Sequence, residues 1–166
     1  MGKLFALTLL LAMGAASPAA LAAGVPPDGV VQTVASVSRA ERPSDAEAML
    51  AELNAARARL GLPLLAPDPR LDWLAQEHAA DMIVRHYFAH ETPEGASPFE
   101  RMRRAGYSYA WAGENLAIDT DADSACRDLL ASEGHRANIL NPHFRRVGIA
   151  AIPGDDGEYF VQDFSD

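Results

Sequence analysis

The sequence predicts an α/β fold: a three-layer α/β/α sandwich with a small antiparallel sheet between helices. Helix-start signals or helical apolar spacing recur between residues 44 and 132. Near the C terminus, Val147 to Ile152 and Tyr159 to Phe164 read as two strands joined by Pro153-Gly-Asp-Asp-Gly157. The first of these strands is apolar or small on both faces, so the sheet needs cover on both sides.

The chain opens as an export signal. Lys3 is followed by an apolar run from Leu4 to Ala16, shorter than the roughly 20 residues a spanning helix needs. Ala20-Leu21-Ala22 is a small-x-small cleavage site, so residues 1–22 are expected to leave as a signal peptide. No later stretch is apolar enough to span a bilayer, so no transmembrane anchor is expected after cleavage. Residues 23–43, with Gly24, Pro26, Pro27, Gly29 and Pro43, read as a flexible linker.

The domain is expected over residues 44–166. Ser44 and Glu47 form a capping box ahead of Ala46, Met49, Leu50, Leu53 and Leu60 at helical spacing, and Gly61 and Pro63 stop this helix. Asp68 caps a second helix with Pro69 at its first position, carrying Leu71, Leu74, Ala75, His78 and Met82 and ending near Arg85 or His86. Ser97 to Glu100 is a second capping box, opening a short helix that stops at Gly106. Tyr107 to Ala117 suits an irregular strand. A fourth helix covers about Ala122 to Ser132 and breaks at Gly134, and a helical turn from His135 to Leu140 ends at Asn141-Pro142.

After signal removal about 144 residues remain, the size of one domain that can bury a core without staples. Cys126 is the only cysteine, so no intramolecular disulfide can form, and it reads as a small packing residue. Export without a disulfide suggests a bacterial envelope protein, secreted or periplasmic. The formal charge of −9 becomes one unit more negative on loss of Lys3. That balance argues against nucleic acid and against electrostatic docking to anionic lipid. Arg101, Arg103 and Arg104 read as a solvated helix face.

Five histidines are candidates for chemistry: His78, His86, His90, His135 and His143. His78, on an apolar stripe, reads as a hydrogen-bonded core residue. His86 and His90 are four apart, but the helix fails near Tyr87-Phe88 and the glutamate of a metalloprotease HExxH motif is missing. Glu114, within an apolar and aromatic stretch, is either exposed at a strand end or buried with a partner, for which histidine is suited. His135 follows a helix break that can turn a side chain sharply. Spacing does not bring Glu114 and the histidines together in space.

Four segments in order resemble bacterial members of the CAP (SCP) superfamily of cysteine-rich secretory and pathogenesis-related proteins. They are Tyr87-Phe-Ala-His90, Gly113-Glu-Asn-Leu116, Gly134-His-Arg-Ala-Asn-Ile-Leu-Asn-Pro142 with Val147-Gly-Ile149, and Tyr159-Phe-Val-Gln-Asp-Phe164. The resemblance covers residues 44–166 and implies the same sandwich. It also implies a groove lined by two histidines and two acids, which by motif are His90, His135 and Glu114. The second acid is replaced: Leu129 stands at the family's aromatic position and Ser132 at the acid, with Glu133 adjacent. The implied ligand groove is therefore His90, Glu114, Ser132 and His135.

Two neutral imidazoles, His90 and His135, suit a divalent metal such as zinc, with Glu114 orienting a histidine or binding directly. The competing reading is that these residues only hydrogen-bond and fix the loops. Three functions follow. The resemblance implies a non-catalytic binding module for a lipid, another small amphipathic ligand or an envelope component, with Met102, Tyr107, Tyr109 and Trp111 as apolar walls. The first alternative is a peptidase or esterase using Glu114 and His135, directly or through metal. The second is a structural or protein-interaction domain.

Overall fold

In the computed structural model, which describes residues 9–12 and 43–166, side chains take up the first free amides of the leading helices. In α1 (Asp45–Arg59) the Ser44 hydroxyl accepts from the Glu47 amide, and the Ser44 amide donates back to Glu47 at 2.8 Å, completing the expected capping box. α1 stops at Leu60, which caps the helix and stays exposed instead of joining its buried stripe. In α2 (Pro69–Arg85), Asp68 accepts from the Arg70 and Leu71 amides, and His86 ends the helix in the left-handed region at φ 54°. In α3 (Pro98–Arg104), Ser97 accepts from the Glu100 amide, while the Glu100 carboxylate pairs with Arg103 and Arg104. Asp121 caps α4 (Ala122–Ala131) at 2.8 Å. The break before α5 (Glu133–Ile139) falls at extended Ser132, so Gly134 lies inside the helix rather than breaking it.

The strands are β1 (Leu9–Ala12), β2 (Ala66–Pro67), β3 (Trp111–Asp119), β4 (Arg146–Gly154) and β5 (Gly157–Ser165), in sheet order β1-β3-β5-β4-β2. The pairs β1–β3, β3–β5 and β4–β5 are antiparallel, and the short β2 runs parallel to β4, a pairing the sequence did not suggest. The hairpin is tighter than expected, since Gly154 already pairs with Gly157. β1 lies inside the expected export signal, beside the first residues of β3. The remainder of that signal and the linker up to residue 42 fall outside the described residues.

Alternation along the strands divides the sheet into two apolar faces. Ala117, Val147, Ile149, Phe160 and Phe164 pack with Met49 and Leu53 of α1, Leu129 of α4 and Ile139 of α5. On the other face, Leu116, Ala150, Tyr159 and Val161 pack on Ala75, Ala79 and Met82 of α2. Leu71 and Leu74 of α2, Phe99 and Met102 of α3, Tyr107 and Ala112 extend that layer. This is the expected α/β/α sandwich.

Gly148 sets how closely α2 meets the sheet. A Cβ there would lie 2.0 Å from the Leu71 carbonyl carbon and 2.3 Å from the Asp72 nitrogen. The contact is pinned on either side: Ile149 donates its amide to Asp72 at 2.9 Å, and Asp68 donates its amide to the Val147 carbonyl at 3.0 Å.

Candidate functional site

Gly113, Glu114 and Asn115 are consecutive on β3, so Glu114 faces the α2–α3 layer and its neighbours face the α5 layer. Gly113 allows a close approach: a Cβ would come 3.1 Å from both Asn138 Oδ1 and the Phe144 ring, and those side chains would have to give way to it. Behind it, Asn115 donates to the His135 carbonyl at 3.1 Å and to Gln162 at 3.0 Å. Asn138 donates to the Glu114 carbonyl at 3.2 Å and to Asn115 at 2.9 Å. These buried amides fasten α5, and with it His135, to β3 and β5.

On the other face Glu114 is fully buried and shared. His90 Nδ1 donates to its Oε1 at 2.6 Å, and Arg101 pairs with its Oε2. His90 is delivered by the loop that leaves α2 at left-handed His86, and Arg101 also donates to the His90 carbonyl at 2.7 Å. One guanidinium therefore holds both the histidine's backbone and the carboxylate. Burial pushes the Glu114 carboxyl up, but the His90 bond and Arg101 outweigh it and keep it below the usual glutamate value. His78 is buried, as expected for a core histidine, and its Nε2 donates to the Ala89 carbonyl at 2.9 Å. Burial lowers its pKa.

The structure thus joins His90 to Glu114 directly and ties His135 to the same strand through Asn115. His90, Glu114 and His135 are each no more than 2% exposed. Ser132 is half-buried at the start of α5, and Glu133 is exposed. His86 and His143 are exposed, and His143 stacks on Trp111 with ring centroids 4.0 Å apart. Of the expected apolar walls, Met102 and Tyr107 are core residues. Burial raises the Cys126 thiol to about 11, so it is an inert packing residue.

Two site residues were not foreseen. Arg101 leaves the solvated face assigned to it and turns inward, at 13% side-chain exposure, while Arg103 and Arg104 stay at 68%. Asp163 on β5 lies opposite Glu114 in the strand register and is also buried. The sequence signal for it was a carboxylate at an inward position of a buried strand.

For a metal, the donor chemistry is divided. His90 Nδ1 is held by a carboxylate, the arrangement that orients a metal-binding imidazole through its Nε2. Glu114 has both oxygens engaged, so using it as a direct ligand would cost the Arg101 pair. Among the described residues no group of three or more His, Cys, Asp or Glu side chains is arranged to hold a metal ion.

Residues 50–164 match the model of the cysteine-rich secretory protein family, CAP. The chain belongs to this family. The CAP domain is 38% identical over 112 residues to the Bacillus subtilis protein YkwD, covering 67% of this chain and 43% of that protein. An extracellular SCP-domain protein of Bacillus anthracis superposes with a TM-score of 0.67 at 32% identity, over 73% of this chain and 40% of that one. An outer surface protein of Borrelia burgdorferi shares the fold, with a TM-score of 0.69 at 23% identity, over 74% of this chain and 92% of that one. The chain spans less than half of the two Bacillus proteins. No helix among the described residues is long and apolar enough to cross a membrane.

Proposed function

We propose that this CAP domain is an extracytoplasmic, non-catalytic binding module for a small amphipathic ligand, lipid-like or from the cell envelope. The observation that carries this reading is a surface groove of about 440 Å³ beside α5. It is lined by Ala137, Leu140, Pro142 and His143, with Glu133 and Arg136 supplying charge. It is shallow and open to solvent, and its mixed lining suits a ligand with an apolar body and a polar end. The Trp111–His143 stack adds a flat aromatic surface at His143. The buried site stands behind this groove as its scaffold, holding α5 through Asn115 and Asn138.

The same geometry speaks against hydrolysis by Glu114. A general base needs a free lone pair near its working pH, whereas this carboxylate is doubly engaged and its pKa is depressed. The test is native mass spectrometry of the exported protein, with binding to an envelope-lipid panel by wild type and Leu140→Asp. Co-purified or panel ligand lost in Leu140→Asp is the expected result. Repeated absence of ligand in wild type rejects the reading.

The carboxylate-held imidazole of His90 supports a second reading, in which His90 and His135 take a divalent cation through their ring nitrogens. Calorimetric titration of zinc against the His90→Ala/His135→Ala double variant tests it. Near-stoichiometric binding abolished in the variant is expected, and no binding in wild type rejects it.

A further inference from the structure

The two edges of the sheet are finished differently. On the β4 side, Val147, Ile149 and, by alternation, Pro153 turn their backbone groups outward. Asp68 donates its amide to the Val147 carbonyl at 3.0 Å, and Ile149 donates its amide to Asp72 at 2.9 Å. β2 covers Arg146 and Val147, and Pro153 has no amide to offer. Such covers and prolines keep a sheet edge from pairing with another chain.

Along the first residues of β3 the outer edge has β1 in their place, from Trp111 to Glu114. Trp111 turns both backbone groups toward Asp166: its amide donates to the Asp166 side chain, and its carbonyl accepts from the Asp166 amide at 3.2 Å. Alternation therefore points the amides and carbonyls of Ala112 and Glu114 outward, at Leu11 and Leu9 of β1. The Glu114 carbonyl also accepts from Asn138, which takes up one of its two lone pairs. This stretch contains no proline or lysine, and its one charge, Glu114, is turned inward and held by His90 and Arg101. On the α5 side, a residue opposite Trp111 meets a ring stacked on His143, and a residue opposite Gly113 meets no cross-strand side chain. The slot suits an uncharged apolar strand, and Leu9-Leu-Leu-Ala12 is one. The expected cleavage after Ala22 takes that occupant away.

We propose that, once the export signal is removed, Trp111–Glu114 is a strand-acceptor site that binds an extended, uncharged apolar peptide segment of another polypeptide, antiparallel and in the register of β1. Main-chain bonds at Ala112 and Glu114 supply the affinity, and alternate side chains on the α5 side select the sequence. A neutral peptide is favoured over a second copy of this chain, because two chains of formal charge −9 or beyond repel each other. The inference rests on signal removal and goes beyond the groove reading, since its contacts are main-chain bonds on the sheet edge.

The probe is a synthetic peptide of residues 7–14, with lysines at both ends for solubility, titrated into the exported, processed protein by fluorescence anisotropy. Binding is expected. N-methylation at Leu11, whose amide faces Ala112, should weaken it about tenfold or more, and N-methylation at Leu10, whose amide faces away, should change it less than about twofold. The two methylated peptides share charge and composition, so adhesion through side chains or charge gives no difference between them. Hydrogen exchange should find the Ala112 and Glu114 amides unprotected before the peptide is added and protected after. No binding, or equal loss from either methylation, overturns the proposal. Protection of those amides before the peptide is added also overturns it: the mass of a dimer would then identify a second copy as the occupant, and that of a monomer the chain's own residues 23–43. A processed protein that keeps Leu9–Ala12 overturns it as well. The Leu140→Asp lipid test reads the groove independently, so either reading can fail alone.

Discussion

The buried guanidinium of Arg57 donates to the carbonyl of Ile139 at 2.7 Å, across 82 residues of chain. The same group reaches the carbonyls of Pro63, Asn141 and Phe144. No carboxylate pairs with it among the described residues. Its charge is met by carbonyl dipoles, two of them at and just beyond the C-terminal end of α5, where a cation is favoured. Arg57→Leu should therefore destabilise the domain by about 3 kcal/mol, since several buried carbonyls lose their donor. Urea unfolding would measure this, and an unchanged midpoint would show that these carbonyls find other partners.

At Gly148 the expected cost is steric. Gly148→Ala drives a methyl group into the α2 backbone rather than against a movable side chain. A loss of about 3 kcal/mol is expected, at the upper end for overpacking. Gly95→Ala is the contrast. Its Cβ would meet nothing within 4 Å, so only its left-handed conformation at φ +83° is at stake. A thermal melt in which the two variants fall equally would contradict the close packing of α2 on β4.

Glu114→Gln should be more damaging than its near-isosteric change suggests. It leaves the largely buried Arg101 without its anion, and breaking such a pair from one side costs about 3–5 kcal/mol. A double-mutant cycle with Arg101→Met would give the coupling. A coupling near zero would mean that the pair contributes no stability.

The pH dependence has a predictable sign at His78. Its folded pKa is lowered by burial below the ordinary 6.5. Between those two values the unfolded chain binds a proton that the folded chain refuses, so stability falls as pH drops below 6.5. Glu114 adds to acid sensitivity only at lower pH, because its depressed pKa contributes stability until pH falls through the folded value. Melting temperatures should decline from just below pH 6.5, and His78→Gln should flatten the first part of that decline. An unaltered slope in His78→Gln would assign the transition to another group.

Export has its own test. Cleavage after Ala22 removes β1 and exposes the outer edge of β3 from Trp111 to Glu114. N-terminal sequencing of the protein from its host's culture medium or envelope should begin at Ala23. A chain that retains Leu9–Ala12 would show that β1 is a permanent strand.

Much of the fold could be read from the sequence because its signals are local. Ser44, Asp68 and Ser97 announce helices through their own side chains, and Pro69 fixes its backbone without help. The start of β3 was misplaced because Tyr107 and Tyr109 have strand-like composition but are spent on tertiary contacts. Tyr107 donates to Asp68 at 2.9 Å and sits in the core, whereas the strand begins where Asp166 accepts from the Ala110 and Trp111 amides. In the site, His90 and Glu114 were visible by motif. Arg101 was not, since it reads with Arg103 and Arg104 as one solvated basic face and only the fold shows which guanidinium turns inward. Asp163 was hidden for a related reason: its relation to Glu114 exists only through the pairing of β3 with β5.

The alternation of Glu114 and Asn115 has a further consequence for folding. Each has a different set of partners on its own side of the sheet: a guanidinium and an imidazole for the acid, amides and a carbonyl for the amide. Sliding β3 by one residue would exchange the two, leaving an anion among uncharged amides and a cation facing no anion. β3 thus checks its own alignment, since a mispaired sheet carries unmatched buried charge as well as misplaced apolar side chains.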